Sequence, residues 1–124
     1  MNLRLPLALA AASLAASLLH AQTKVDIVKV VGCLREQGTG NWMLVAATEP
    51  ELSNANAPAR NELPREAPPG KNTYKLIGVG EFNLPTYKDH TVLVKALYIK
   101  DTVGRLNITS VTDVVPNCAS GAPR

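Results

Sequence analysis

The chain has 124 residues, with 13 lysines and arginines against 10 aspartates and glutamates, for a formal net charge of +3. So mild a positive balance, spread along the chain with only Trp42, Tyr74, Phe82, Tyr87 and Tyr98 as aromatic residues, argues against nucleic-acid binding, which draws on a basic stripe with aromatics among it.

The first segment reads as a secretory leader over 1–21: Arg4 supplies the early positive charge, an apolar run follows from Leu5 to Leu19, and Ala21 offers a small residue for cleavage. The run is shorter than the roughly 20 apolar residues that a spanning helix needs, and no later stretch is longer, so no membrane span is expected. Cleavage after Ala21 would leave one domain, and places it in the periplasm or outside the cell.

In chain order, VDIVKVVGCL (25–34) is dense in β-branched residues and reads as a buried strand, with Gly32 marking a bulge or bend. Gln37-Gly38-Thr39-Gly40-Asn41 is a turn by composition. NWMLVAAT (41–48) is a second strand that makes a hairpin with the first. It sets Trp42, Leu44 and Ala46 on one face and Met43, Val45 and Ala47 on the other.

Residues 49–72 hold five prolines (50, 58, 64, 68, 69) and almost no apolar periodicity, and are expected to form a long flexible loop. A third strand is predicted at 73–79, followed by the connector GEFNLPTYKDH, in which Pro85 restricts any helix to a short turn. HTVLVKALYIK (90–100) is a fourth strand with two largely apolar faces. RLNITSVTDVV (105–115) is the fifth, and the change of apolar phase from Leu106 and Ile108 to Val111 predicts a bulge near Thr109 or Ser110. Pro116 ends it, and residues 119–124 are expected to be a disordered tail.

Five strands with a glycine where the first could bend suggest a small, closed or nearly closed antiparallel barrel over 22–118, since an open sheet would leave apolar edges exposed. Trp42 and Tyr74 are assigned to its core.

Two cysteines remain, Cys33 and Cys118, and in an exported chain an even count reads first as a disulfide. Val30-Val31-Gly32-Cys33 has the look of a lipoprotein box, but Lys24, Asp26 and Lys29 separate it from the apolar run. A metal site would need three or four ligands, and beyond the leader there is one histidine and no Cys-x-x-Cys spacing, so neither metal nor cofactor is expected.

His90 stands beside Asp89, and Thr91 or Ser110 could complete a nucleophilic arrangement. Neighbours on a strand point to opposite faces, however, so Asp89 would not naturally orient His90, and no catalytic residue is assigned. The better ligand candidates are Phe82 and Tyr87 in the connector with Lys88 and His90, a patch suited to a glycan or a peptide.

Val31-Gly32-Cys33-Leu34, Asn41-Trp42-Met43-Leu44, Tyr74-Lys75-Leu76-Ile77-Gly78, Asp89-His90-Thr91-Val92-Leu93-Val94, and Leu106-Asn107-Ile108-Thr109-Ser110-Val111 with Cys118 form a pattern in order. It resembles small exported bacterial domains of the OB-fold type, which show a Gly-Cys-Leu start, a Tyr-x-Leu-x-Gly strand, a Gly-His-x-Val-x-Val-x-Gly strand and a terminal cysteine. The chain departs from them at Asp89 and Ala96, where glycines are expected, and in its longer proline-rich loop. The resemblance implies an OB-like barrel and carries over no catalytic residue.

The expected function is an exported, non-enzymatic binding module for an envelope ligand (glycan, peptide or protein). The alternatives are a structural or stress-protective envelope protein that docks a protein partner through the proline-rich loop, and a small hydrolase centred on His90.

Overall fold

The computed structural model describes residues 26–53 and 55–124; the leader read at 1–21 lies outside them. Six strands follow one another: β1 (Ile27–Glu36), β2 (Trp42–Ala47), β3 (Glu51–Ser53), β4 (Asn72–Ile77), β5 (Thr91–Ile99) and β6 (Arg105–Val115). Two short 3-10 segments, Arg60–Glu62 and Leu84–Tyr87, lie between strands, and the described residues contain no α-helix.

The strands pair in the order β2-β4-β6-β5-β1-β3, and β2 also pairs with β1. Five strands therefore close into a ring, with β3 beside it as a sixth. The five-stranded antiparallel expectation is corrected twice. β3 adds a strand inside the segment read as loop, and β4 runs parallel to β6, with Leu76 opposite Leu106.

The length of β1 makes the closure possible. One of its edges pairs with β5 from Ile27 to Cys33. The other is shared: Cys33 to Glu36 pair with β2, and Ile27 to Lys29 pair with β3. Thr48 fills the gap between them, its Oγ1 accepting from the Val31 N–H at 3.0 Å and its own N–H donating to the Val31 carbonyl at 2.9 Å.

Gly32 sits where β1 leans on β2, and its pairing with Val92 is unbroken, so there is no bulge here. A Cβ would stand 2.8 Å from Leu44 Cγ and 2.9 Å from Ala47 Cβ. The glycine permits close packing.

The hairpin between β1 and β2 turns where expected. Gly38 and Gly40 hold φ of 77° and 75°, the left-handed region that glycine enters at little cost. Glu36 Oε2 accepts from the Gly40 N–H at 3.0 Å.

In β2 the expected alternation fails after Leu44. The register shifts between Leu44 and Ala47, and Ala46 takes φ 48°, so Ala47 rather than Ala46 joins Trp42 and Leu44 in the core. In β6 the expected bulge is present. Lys95 pairs with Ser110 and Ala96 with Ile108, which leaves Thr109 as the extra residue. A second skip falls at Val114, because Thr91 pairs with Val115 and Val92 with Asp113.

Alternate side chains turn into one core: Val28, Val30 and Leu34 from β1, Val92, Val94 and Ala96 from β5, and Leu106 and Ile108 from β6, with Trp42 and Tyr74. At the start of β5, Leu84 of the 3-10 segment is buried against this core, with Phe82 and Tyr87 packed beside it. At the far end of β5, Tyr74 and Tyr98 meet edge to face with ring centres 5.9 Å apart. Residues 119–124, expected to be disordered, form a turn from Ala119 to Ala122, and the Pro123 carbonyl accepts from Arg35 Nε at 3.0 Å.

Candidate functional surface

The ring has two unlike outer halves. On β1 and β5 the outward positions form facing pairs: Lys29 with Lys95, Val31 with Leu93, and Cys33 with Thr91. An outward side chain on a small ring normally meets water, yet Val31, Cys33, Thr91, Leu93 and Lys95 are all buried.

The cover is the segment read as a flexible loop. Asn56 accepts from Ser110 Oγ at 2.6 Å on β6, and the Ala55 carbonyl and Glu62 carboxylate receive Lys95 from β5. Pro64 and Pro68 line one small cavity with Lys29 and Val31, and Ala67 and Pro68 line another with Cys33 and Thr91. Residues 55–68 thus form a strap across β6, β5 and β1, and the segment read as a long loop carries the strand β3 and a 3-10 turn at Arg60–Glu62. Prolines suit this role because their fixed φ lowers the entropy lost on docking.

The strap's polar centre is Glu62. Its Oε1 accepts from the Ala59 N–H at 2.8 Å and from Lys95 Nζ at 3.0 Å. Its Oε2 lies 3.2 Å from Lys95 Nζ, 3.3 Å from the Ser53 hydroxyl and 3.8 Å from Lys29 Nζ. The Ala59 amide first, and then the Lys95 ammonium, hold the Glu62 carboxyl below its ordinary range.

The other half, formed by β2, β4 and β6, is open. Met43 pairs with Lys75, and Lys75 with Arg105, so the three stand in one row across three strands. One step along, Ile77 pairs with Asn107. Thr73 and Lys75 are exposed, while Met43, Ile77, Arg105 and Asn107 are half-buried. Asp101, 3.8 Å from Arg105 Nε, flanks the row, and Arg105 Nε has no hydrogen-bond partner. Two cations beside thioether and aliphatic surface suit an anionic group carried on an apolar or sugar-like frame.

The residues expected to form a ligand patch have intramolecular partners. Phe82 and Tyr87 pack on the core. Lys88 Nζ lies 3.7 Å from Glu36 Oε1, and His90 Nδ1 lies 2.9 Å from Asp113 Oδ1. Asp89 turns from His90 to Arg35, accepting from Nη1 at 2.7 Å, and this bond lowers its carboxyl below the ordinary range. Thr91 Oγ1 donates to the Asn117 carbonyl at 2.8 Å and Ser110 Oγ to Asn56, so both hydroxyls considered for a nucleophile are engaged away from His90.

Cys33 and Cys118 are bonded, as expected, with Cα atoms 5.4 Å apart. Two shallow cavities, of about 430 and 420 Å³, flank the Pro69-Gly70-Lys71 backbone, one against Ala47 to Glu49 and the other against the tail from Ala119 to Pro123. Among the described residues no cluster of three or more His, Cys, Asp or Glu side chains could hold a metal ion. No helix among them is long and apolar enough to cross a membrane.

Sequence reasoning did not single out Lys75, Lys95 or Arg105, and Glu62 reads in sequence as a solvated loop carboxylate, whereas it pairs with Lys95. For Lys95 one signal was available: a lone lysine in TVLVKALYI, at a position where both strand faces are apolar. No family model, no curated protein and no solved structure matches this chain.

Proposed function

We propose that the chain is an exported, non-enzymatic binding module with an OB-like barrel, and that the open face of β2, β4 and β6 receives an acidic envelope ligand, a glycan or a peptide. The observation that carries this reading is the asymmetry of the ring: one outer half is sealed by the strap, and the other presents Met43, Lys75 and Arg105 in a row.

The OB-like reading is supported by the cyclic order β1-β2-β4-β6-β5, its single parallel pair and the plug around Leu84 between β4 and β5. Domains of that architecture bind along the face of their second and third strands, which correspond here to β2 and β4. Export is supported by the disulfide, since such bonds persist in oxidising compartments, together with the charged and apolar plan of residues 1–21. A nucleic-acid ligand is disfavoured because the outward positions of this face, Met43, Thr73, Lys75, Ile77, Arg105 and Asn107, include no aromatic stacking platform. The engagement of Thr91 and Ser110 away from His90 weighs against a hydrolase.

A thermal-shift titration of the oxidised protein with uronic-acid oligomers, acidic peptides and their neutral counterparts tests the reading. An acidic ligand at about 100 times its Kd adds roughly 2.7 kcal/mol and raises Tm by several degrees. The shift disappears in Lys75→Glu/Arg105→Glu. Equal shifts with neutral ligands, or a response that survives the double substitution, would remove this face from consideration. Binding that needs residues 55–68 instead favours a protein partner docked on the strap.

A further inference from the structure

Lys95 has no solvent exposure, although it points away from the core. Lys29 stands directly opposite it on the same face of the sheet. Like charges opposed on neighbouring strands repel, and a buried ammonium is unfavourable unless it is paired and hydrogen-bonded. The compensation comes from the strap and the strand leading into it. Lys95 donates to the Ser53 hydroxyl, to the Ala55 carbonyl at 2.9 Å and to both Glu62 oxygens, and Glu62 also faces Lys29.

Glu62 is therefore the anion shared by two opposed lysines. The other charged groups around it do not replace it. Glu51 is paired across from Lys29 and lines the same small cavity, but Lys95 makes its bonds to Glu62. Arg60 in the 3-10 turn and Arg65 beyond it are exposed and add only positive charge. Among the described residues, the polar ties of the strap that do not involve Glu62 are those to the Ala55 carbonyl, from Lys95 and Ser53, and the neutral bond from Ser110 to Asn56 on β6. None of the pairings that close the ring passes through residues 55–68.

We propose that residues 55–68 are a releasable cover locked by Glu62, and that protonation of this one carboxylate frees the strap and uncovers Val31 and Leu93 while the ring stays closed. Without the anion, Lys95 regains solvation only by reaching water, and water reaches it only when the strap moves away. The lock acts in acid rather than near neutrality, because the Ala59 amide and Lys95 hold the Glu62 carboxyl below its ordinary value of 4.5. Its contribution is complete above that value and is lost as pH falls through the lowered one.

The test is a ¹H–¹⁵N NMR titration of the oxidised full chain from pH 7 to 3, for the wild type and Glu62→Gln, with a hydrophobic dye read in parallel. Strap amides should leave their native positions with a midpoint below 4.5 that matches the Glu62 carboxyl, while the amides of Val30, Val94 and Leu106 hold theirs. Dye emission should rise several-fold over the same range. Glu62→Gln should show the open-strap pattern already at pH 7. Strap amides that move only together with the ring amides, or a Glu62→Gln strap that keeps its closed pattern at pH 7, overturn the proposal. Should Glu62→Gln fail to fold, the wild-type titration decides alone.

Discussion

Cys33 and Cys118 lie 85 residues apart in the chain and 5.4 Å apart between Cα atoms. Cys33 is the residue of β1 that pairs with Thr91 of β5 on one side and Val45 of β2 on the other. Asn117, next to Cys118, accepts from both the N–H and the hydroxyl of Thr91. The bridge thus fastens the chain after β6 to the point where β1 passes from one neighbour to the next. With both sulfurs bonded, the described chain holds no free thiol for a lipid, a metal or a nucleophile.

Reduction, or Cys33→Ser/Cys118→Ser, is expected to lower stability by about 4–5 kcal/mol, the chain-entropy value for a loop of this length. Urea unfolding of the oxidised and reduced protein checks it through the midpoint. An unchanged midpoint would mean that the reduced, unfolded chain is already constrained to the same degree.

Gly70 makes the second prediction. A Cβ there would stand 2.5 Å from the Ala47 carbonyl carbon and 2.6 Å from the Ala46 oxygen, atoms of the β2 bulge that cannot swing aside. Gly70→Ala is expected to cost about 1–3 kcal/mol, the usual range for overpacking. Gly80→Ala, where a Cβ meets nothing within 4 Å, should stay within about 0.5 kcal/mol and serves as the control in the same thermal melts.

Strands were legible wherever apolar residues alternate, and the bulge at Thr109 was legible as a break in that alternation. Partners distant in sequence were not. The parallel pairing of β4 with β6 follows from ring closure, which no local pattern encodes. β3 is three residues, two of them exposed, too short to show a period. Lys95 reads as a solvated strand lysine until Glu62, 33 residues earlier in an aperiodic stretch, is known to cover it. The Lys75–Arg105 row is invisible for the same reason, since it exists only once β4 and β6 are side by side. The departure at Asp89 has a local explanation. Its φ is 66°, so the backbone has the left-handed form that a glycine would supply, and aspartate is among the few other residues that tolerate it.

Asp89 also sets a pH dependence. Its bond to Arg35 lowers the carboxyl below the ordinary 3.8, so its contribution is complete above that value and is lost as pH falls through the lowered one. Asp89→Asn keeps a residue that accepts the left-handed backbone and removes the charge. Its stability curve should therefore lie below the wild type at neutral pH and converge with it in acid. Parallel curves from pH 7 to 2 would show that the Arg35 pair contributes nothing dependent on ionisation.

The connector supplies the last prediction, because its four candidate residues should separate into two behaviours. Phe82 and Tyr87 pack on the core beside the buried Leu84, so truncating either exposes apolar surface at the end of the ring. Phe82→Ala and Tyr87→Ala should each cost about 1–3 kcal/mol, below the range for fully buried aromatics because both are half-buried. Lys88 and His90 meet Glu36 and Asp113 near the surface, where ion pairs contribute about 0–1 kcal/mol, so Lys88→Ala and His90→Ala should leave the melt nearly unchanged. Titration of the four variants with the ligand that shifts the wild type then assigns the patch. If ligand affinity survives His90→Ala and Lys88→Ala but falls with Lys75→Glu/Arg105→Glu, the connector is a plug and the open face is the site. If His90→Ala abolishes the shift while stability holds, the ligand contacts the connector, and the binding face moves from β2, β4 and β6 to the start of β5.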